Sequence, residues 1–187
     1  MREMLKLGLV LAVVCAVTAG GLAAVNSAVQ GRIEENNRLE AVRKRQEVFP
    51  AAREFEPRTV DGRQVFVARD EGGAALGLVV TAGPRGYAGP IGMTLGIAPD
   101  GTLAGLAISK LDQTETPGLG VKVTLAAFRD QFRGKGVAAV RLKKDGGTID
   151  AITAATISSR AVADGVSAAL AWYGKTFPQG LGGQPGG

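Results

Sequence analysis

From Leu7 to Val29 the chain carries no charged residue, whereas from Arg58 onward apolar and polar positions begin to alternate. The first pattern is long enough to cross a bilayer as one helix, predicted from about residue 6 to about residue 29. Arg2 and Lys6 precede the run, and Arg32, Glu34 and Glu35 follow it. That small basic excess predicts a cytoplasmic N-terminus and a domain outside the cytoplasm. The rival reading is a cleaved signal peptide, with Leu7–Ala16 as its apolar region and processing near the small residues Ala19–Ala24. The apolar run continues past those small residues, which favours an uncleaved anchor. Arg32 to Gln46 is polar and rich in helix formers. It predicts a helix continuing out of the membrane and stopping near Pro50.

Beyond Pro57 the periods change. Gln64–Asp70 alternates as a strand does. Gly72-Gly73 then separates it from an apolar run over Ala74–Gly83, and together they predict a hairpin. A second hairpin is predicted over 92–111, with Asp100-Gly101 as its turn. Val123–Gly134 predicts a helix that docks Phe128 and Phe132, and Val137–Lys144 predicts a further strand. From Thr156 to Tyr173 the apolar residues Ile157, Ala161, Val162, Val166, Ala169, Leu170 and Tyr173 fall at helical spacing, which predicts a long final helix. The fold class is therefore α+β: an antiparallel sheet built from hairpins, with helices packed on one side. The expected organisation is a cytoplasmic stub and transmembrane helix over 1–31, a connecting helix and linker over 32–57, the folded domain over 58–177, and a flexible Gly-rich tail over 178–187.

Composition narrows the chemistry. The chain of 187 residues has no histidine and one cysteine. Histidine ligands, histidine bases and an intrachain disulfide are excluded, as is an iron–sulfur cluster held by this chain alone. The net charge of +5 is scattered rather than clustered on one face, so no nucleic-acid partner is expected. The 28 glycines follow no collagen-like period and gather in loops.

Two segments carry candidate chemistry. In the first, Thr153, Thr156, Ser158 and Ser159 cluster where a loop becomes a helix. The first helical turn has unpaired N–H groups and a partial positive charge, so an anionic phosphate would be favoured there, with hydroxyls adding hydrogen bonds. Plain N-capping accounts for the same residues. In the second, Glu115–Gly120 reads ETPGLG. Its proline and glycines permit a tight loop able to lie against a planar ligand, although a simple turn would use the same residues. It is neither a P-loop nor a dinucleotide fingerprint.

These motifs, in this order, resemble the G subunit of the Rnf electron-transport complex, a family related to the C subunit of the sodium-pumping NADH:quinone reductase and to the wider group of FMN-binding domains. The resemblance runs through Val48–Ala52, GYAGPI at 86–91, DGTLAGLAI at 100–108, ETPGLG at 115–120, FRDQFRGK at 128–135 and DAITAATISSRAV at 150–162. It implies FMN carried covalently through its phosphate on Thr156, attached by a dedicated flavin transferase. Asp150 and Thr153 would lie around the phosphate; Ser158, a candidate contact, is like Ser159 a rival acceptor that on a helix points away from Thr156. Glu115, Thr116, Leu119, Gly120 and Tyr87 would lie around the ring, with Thr116 and Leu119 as the main contacts. It further implies an electron-relay subunit without catalysis of its own, packed against multispan partner subunits in the inner membrane. That complex couples electron exchange between ferredoxin and NAD to ion movement. The alternatives are the quinone-reductase C subunit or an FMN-binding domain serving another membrane reductase. One position departs from the family pattern: Ala154 stands where glycine is usual. If the backbone there needs a positive φ, alanine costs about 1 kcal/mol or more; if it is helical, alanine is harmless.

Overall fold

The computed structural model describes residues 2–87, 89–109 and 120–181. They divide into two units, Met1–Val42 and Arg43–Gly187. Helix α1 spans Arg2–Val48. The predicted membrane helix and connecting helix are therefore one element, since nothing between Val29 and Arg32 breaks a helix. An 18-residue window of α1 has a mean hydropathy of 2.3 and is wholly exposed, so this helix is long and apolar enough to cross a membrane. Within the apolar run the Thr18 hydroxyl bonds back to the carbonyls of Val14 and Cys15, at 2.9 and 3.0 Å. That satisfies it without water.

The second unit is built on a five-stranded antiparallel meander: β1 (Glu54–Val60), β2 (Arg63–Arg69), β3 (Ala75–Ala82), β4 (Met93–Ile97) and β5 (Leu103–Ile108). The α+β architecture matches the sequence reading, and both predicted hairpins are present as β2–β3 and β4–β5. The sequence reading missed β1. Pro57 there reads as a breaker, yet it sits opposite Phe66 on an edge strand, where a missing N–H is tolerated. Asp61-Gly62, both with positive φ, turn β1 into β2.

The two faces of the sheet are covered differently. On one, helix α3 (Thr156–Thr176) lays Val162, Val166, Leu170 and Tyr173 against Val65, Val67, Leu78, Leu95 and Ile97 in the main core, with Phe128 and Phe132 at its side. The expectation of helices on one side only is corrected by the other face. There Val48, Phe49 and Ala52, at the end of α1 and just beyond, pack on Ala68, Val79 and Ala107. The approach is close because Gly96 and Gly105, paired in register, leave room. A Cβ on Gly105 would lie 2.8 Å from the Val48 backbone, and one on Gly96 would lie 2.9 Å from the Phe49 ring.

The predicted helix over 123–134 is instead a succession of short pieces: a 3-10 helix at Gly120–Thr124, α2 at Ala126–Arg129 and a 3-10 turn at Asp130–Phe132. The predicted strand over 137–144 is absent. Val140 and Leu142 are buried and Arg141 and Lys143 exposed, so the alternation itself is real. The outer edge of β5 is already used: Leu103 N–H donates to the Lys135 carbonyl and Gly134 N–H to the Leu103 carbonyl. With that part of the edge taken, the segment makes only an isolated parallel bridge, Leu142 to Ile149, and closes as a 3-10 turn at Lys143–Asp145.

Candidate functional site

Thr156 is the first residue of α3. The turn that delivers it is unusual. Ala154 has φ +64°, the left-handed region, and Ala155 at the N-cap has no side chain to cap the helix. Among the described residues, the first turn has no side-chain cap. Ser159 holds the turn instead. Its Oγ accepts from the Ile152 N–H at 3.1 Å and donates to the Ala155 carbonyl at 2.9 Å, and Ala155 N–H closes on the Ile152 carbonyl at 3.0 Å. Sequence inspection treats Ser159 as one hydroxyl among several. Its structural role follows from helix phase, since it shares the buried side of α3 with Val162 and Val166.

The hydroxyls separate by environment. Ser158 and Ser159 are buried, whereas Thr153 is exposed and Thr156 half-buried. Neither threonine hydroxyl makes a hydrogen bond among the described residues. Ser158 is thus placed on the inner face of α3, away from Thr156, while Thr153 is exposed in the turn just before it.

Asp150 lies in the loop before this turn. Its N–H donates to Gln131 Oε1 at 2.7 Å, and its carboxylate takes Lys143 Nζ at 2.7 Å. Nearby, Arg160 grips Asp145 through both oxygens, Nε to Oδ2 at 3.0 Å and Nη2 to Oδ1 at 3.1 Å. This hydrogen bond, reinforced by the charges of Arg160, Lys144 and Arg141, holds the Asp145 carboxyl below its ordinary range and raises Arg160. The segment fits tightly: a Cβ on Gly147 would fall 2.0 Å from the Arg141 carbonyl oxygen. Among the described residues, the start of α3 offers an unpaired Thr156 hydroxyl and uncapped N–H groups, with Arg160 one turn along the helix. That donor set fits a phosphoryl group attached at Thr156. Arg160 was not singled out in the sequence, although its spacing of four from Thr156 puts it one turn away on the same face.

The ring-side residues are placed less fully. Glu115, Thr116 and Leu119 lie outside the described residues. Gly120 opens the 3-10 helix that packs against α3, with Val123 buried behind it. Tyr87 is 70% exposed at the tip of a turn closed by Ile91 N–H on the Pro84 carbonyl. The base of that turn touches α3, since a Cβ on Gly165 would meet Pro84 at 2.8 Å. No described contact joins Tyr87 to Thr156.

Residues 86–171 match the family model of the FMN-binding domain, and residues 1–48 match that of the RnfG N-terminal region. Among curated proteins, the chain is 35% identical to the G subunit of the Na(+)-translocating ferredoxin:NAD(+) oxidoreductase complex of Acetobacterium woodii, over 92% of each chain. It is 34% identical to the G subunit of the ion-translocating oxidoreductase complex of Methanosarcina acetivorans, over 90% of this chain and 94% of that one. Among solved structures it is similar to NqrC of Shewanella oneidensis, with a TM-score of 0.49 and 24% identity over 64% of this chain and 65% of that one.

Proposed function

The chain belongs to the RnfG family, the G subunits of ion-translocating oxidoreductase complexes, and from that premise we propose that it is a membrane-anchored electron carrier holding FMN covalently on Thr156. The observation that carries the site assignment is the sorting of hydroxyls at the start of α3: Thr156 is half-buried and unpaired among the described residues, while Ser158 and Ser159 face the core. Attachment forms the bond from Thr156 Oγ1 to the phosphorus of an activated flavin nucleotide. The donor's leaving group departs and the hydroxyl proton is released. A flavin transferase presents that donor. The phosphoester keeps one negative charge beside the helix start, where the N–H groups favour it.

When bound, the flavin supplies the redox chemistry. The chain tethers it at the phosphate end and shapes its surroundings through the 86–91 turn and the segment leading into Gly120. The absence of histidine costs nothing here, because electron relay needs no acid–base side chain. α1 is the anchor, with Arg2 and Lys6 on the cytoplasmic side and the domain outside the cytoplasm. Partner subunits with several spans complete the electron path, in a complex of the kind named for the relatives, coupling ferredoxin and NAD exchange to ion transport.

The test is mass spectrometry of the full chain coexpressed with its transferase. The tryptic peptide Asp145–Arg160 gains the mass of FMN less water, and fragmentation places it on Thr156. Thr156→Val abolishes flavin fluorescence on a denaturing gel, whereas Ser158→Ala keeps it. Covalent flavin surviving in Thr156→Val would sink the assignment.

A further inference from the structure

We propose that Arg160 is the counter-charge of the phosphoester at Thr156, and that loading the site moves its guanidinium from Asp145 to the phosphate. The inference rests on the reading that Thr156 carries the flavin phosphate, and it makes Arg160 a binding residue for that group.

Thr156 and Arg160 stand one turn apart on α3, so their Cβ atoms are separated by about 5–6 Å. Side chains on a helix lean toward its N-terminus, which carries the Arg160 stem toward Thr156. The guanidinium is already in a two-pronged grip on a carboxylate, the geometry with which arginine also takes phosphate oxygens. Asp145 is thus the stand-in anion of the unloaded chain. Among the described residues, few charged groups act on this pair. Arg141 and Lys144 act on Asp145 from its own segment, and Asp164 acts on Arg160 from the next turn of α3. The pair is solvent-exposed, with side chains 45% and 37% accessible, so water screens it and little is lost when it opens. A phosphodiester at Thr156 keeps its charge at any working pH and lies at the positive end of α3, and Asp145 competes with it for one guanidinium. Lys143 remains with Asp150 and does not need to move.

The exchange has a readout independent of electron transfer. In the unloaded full chain, Asp145 followed by carbon-detected NMR titrates below the ordinary carboxylate range, and Arg160→Gln removes most of that depression. In the wild type, loading removes it as well, because Arg160 has left. In Arg160→Gln, loading moves Asp145 only by the direct field of the phosphate, a smaller change. The phosphorus resonance of the loaded chain also shifts between wild type and Arg160→Gln, and Arg160→Lys restores it in part. An equal response of Asp145 to loading in wild type and Arg160→Gln, with the adduct on Thr156 verified by mass, would overturn the role of Arg160 alone. Absence of any adduct on Thr156 would overturn the cofactor reading and this inference with it.

Discussion

Two non-glycine residues in the described structure have a positive φ, Asp61 at 51° and Ala154 at 64°, and they stand at opposite ends of α3. At Asp61 the left-handed turn is supported by local chemistry. Aspartate tolerates that conformation better than most residues, and Gly62 follows it in the β1–β2 turn. Its carboxylate also accepts from Trp172 Nε1 at 2.9 Å and from Thr176 Oγ1 at 3.1 Å, tying the hairpin to the last turns of the helix. At Ala154 there is no such side chain. The left-handed backbone is held from outside, by Ser159 bridging Ile152 and Ala155. The first turn is a fastening. The second is a strained presentation of the residue two places on, Thr156, which the proposal makes the cofactor anchor. A strained backbone is where sequence rules and function commonly conflict.

The largest effect on this contrast comes from removing the outside support. Ser159→Ala leaves the Ile152 N–H without its partner in a part-buried setting, which costs about 2–3 kcal/mol. Thermal melting of the full chain in detergent checks the loss. Amide exchange should show it first at Ile152, whose N–H donates to this serine, and next at Ala155, whose N–H closes the same turn on the Ile152 carbonyl. Unchanged protection there would mean that Ser159 does not hold the turn.

A smaller loss is expected at the other end. Asp61→Ala removes the acceptor shared by Trp172 and the buried Thr176 hydroxyl and places alanine in the left-handed region, costing about 1–2 kcal/mol. Near-ultraviolet circular dichroism of Trp172, the one tryptophan, reports the loosening directly. Protection at Ile152 should be unaffected, because the fault lies at the far end of α3. If both ends loosen together in either variant, the helix responds as one unit and the contrast between the two turns fails.

How much of this was legible in the sequence differs from region to region. The anchor follows from the length of its apolar run, and the hairpins β2–β3 and β4–β5 and helix α3 from hydrophobic period. The Asp61-Gly62 turn went unread, because Pro57 suggests that no strand precedes it. An edge strand pairs on one side only and can accommodate the proline. Val137–Lys144 misleads for the opposite reason: its alternation is real, but strand formation needs a free neighbouring edge, and Gly134 and Lys135 occupy part of that of β5. At the candidate site the sequence pointed to Thr156 and marked Ala154 as the open question, whereas the roles of Ser159, Gln131 and Arg160 depend on which residues fold back onto the helix start.

The smallest expected change is also a gain. Ala154→Gly places at φ +64° the residue that meets no steric penalty there. Alanine in the left-handed region gives up about 1–2 kcal/mol, and glycine gives back roughly 0.5–1 kcal/mol of that through the greater freedom of its unfolded chain. The net is a stabilisation of about 0.5–1 kcal/mol, read as a rise in the melting temperature of the unloaded full chain. The same substitution at Asp61 has no comparable strain to relieve and discards two hydrogen bonds, so Asp61→Gly lowers the melting temperature. The opposite signs of one substitution at two left-handed positions are the sharpest form of the comparison. A lower melting temperature for Ala154→Gly would show that the turn before Thr156 is not left-handed in solution. A rise accompanied by faster covalent flavin attachment, at equal transferase and substrate, would show that strain at Ala154 also limits how often the Thr156 hydroxyl is presented.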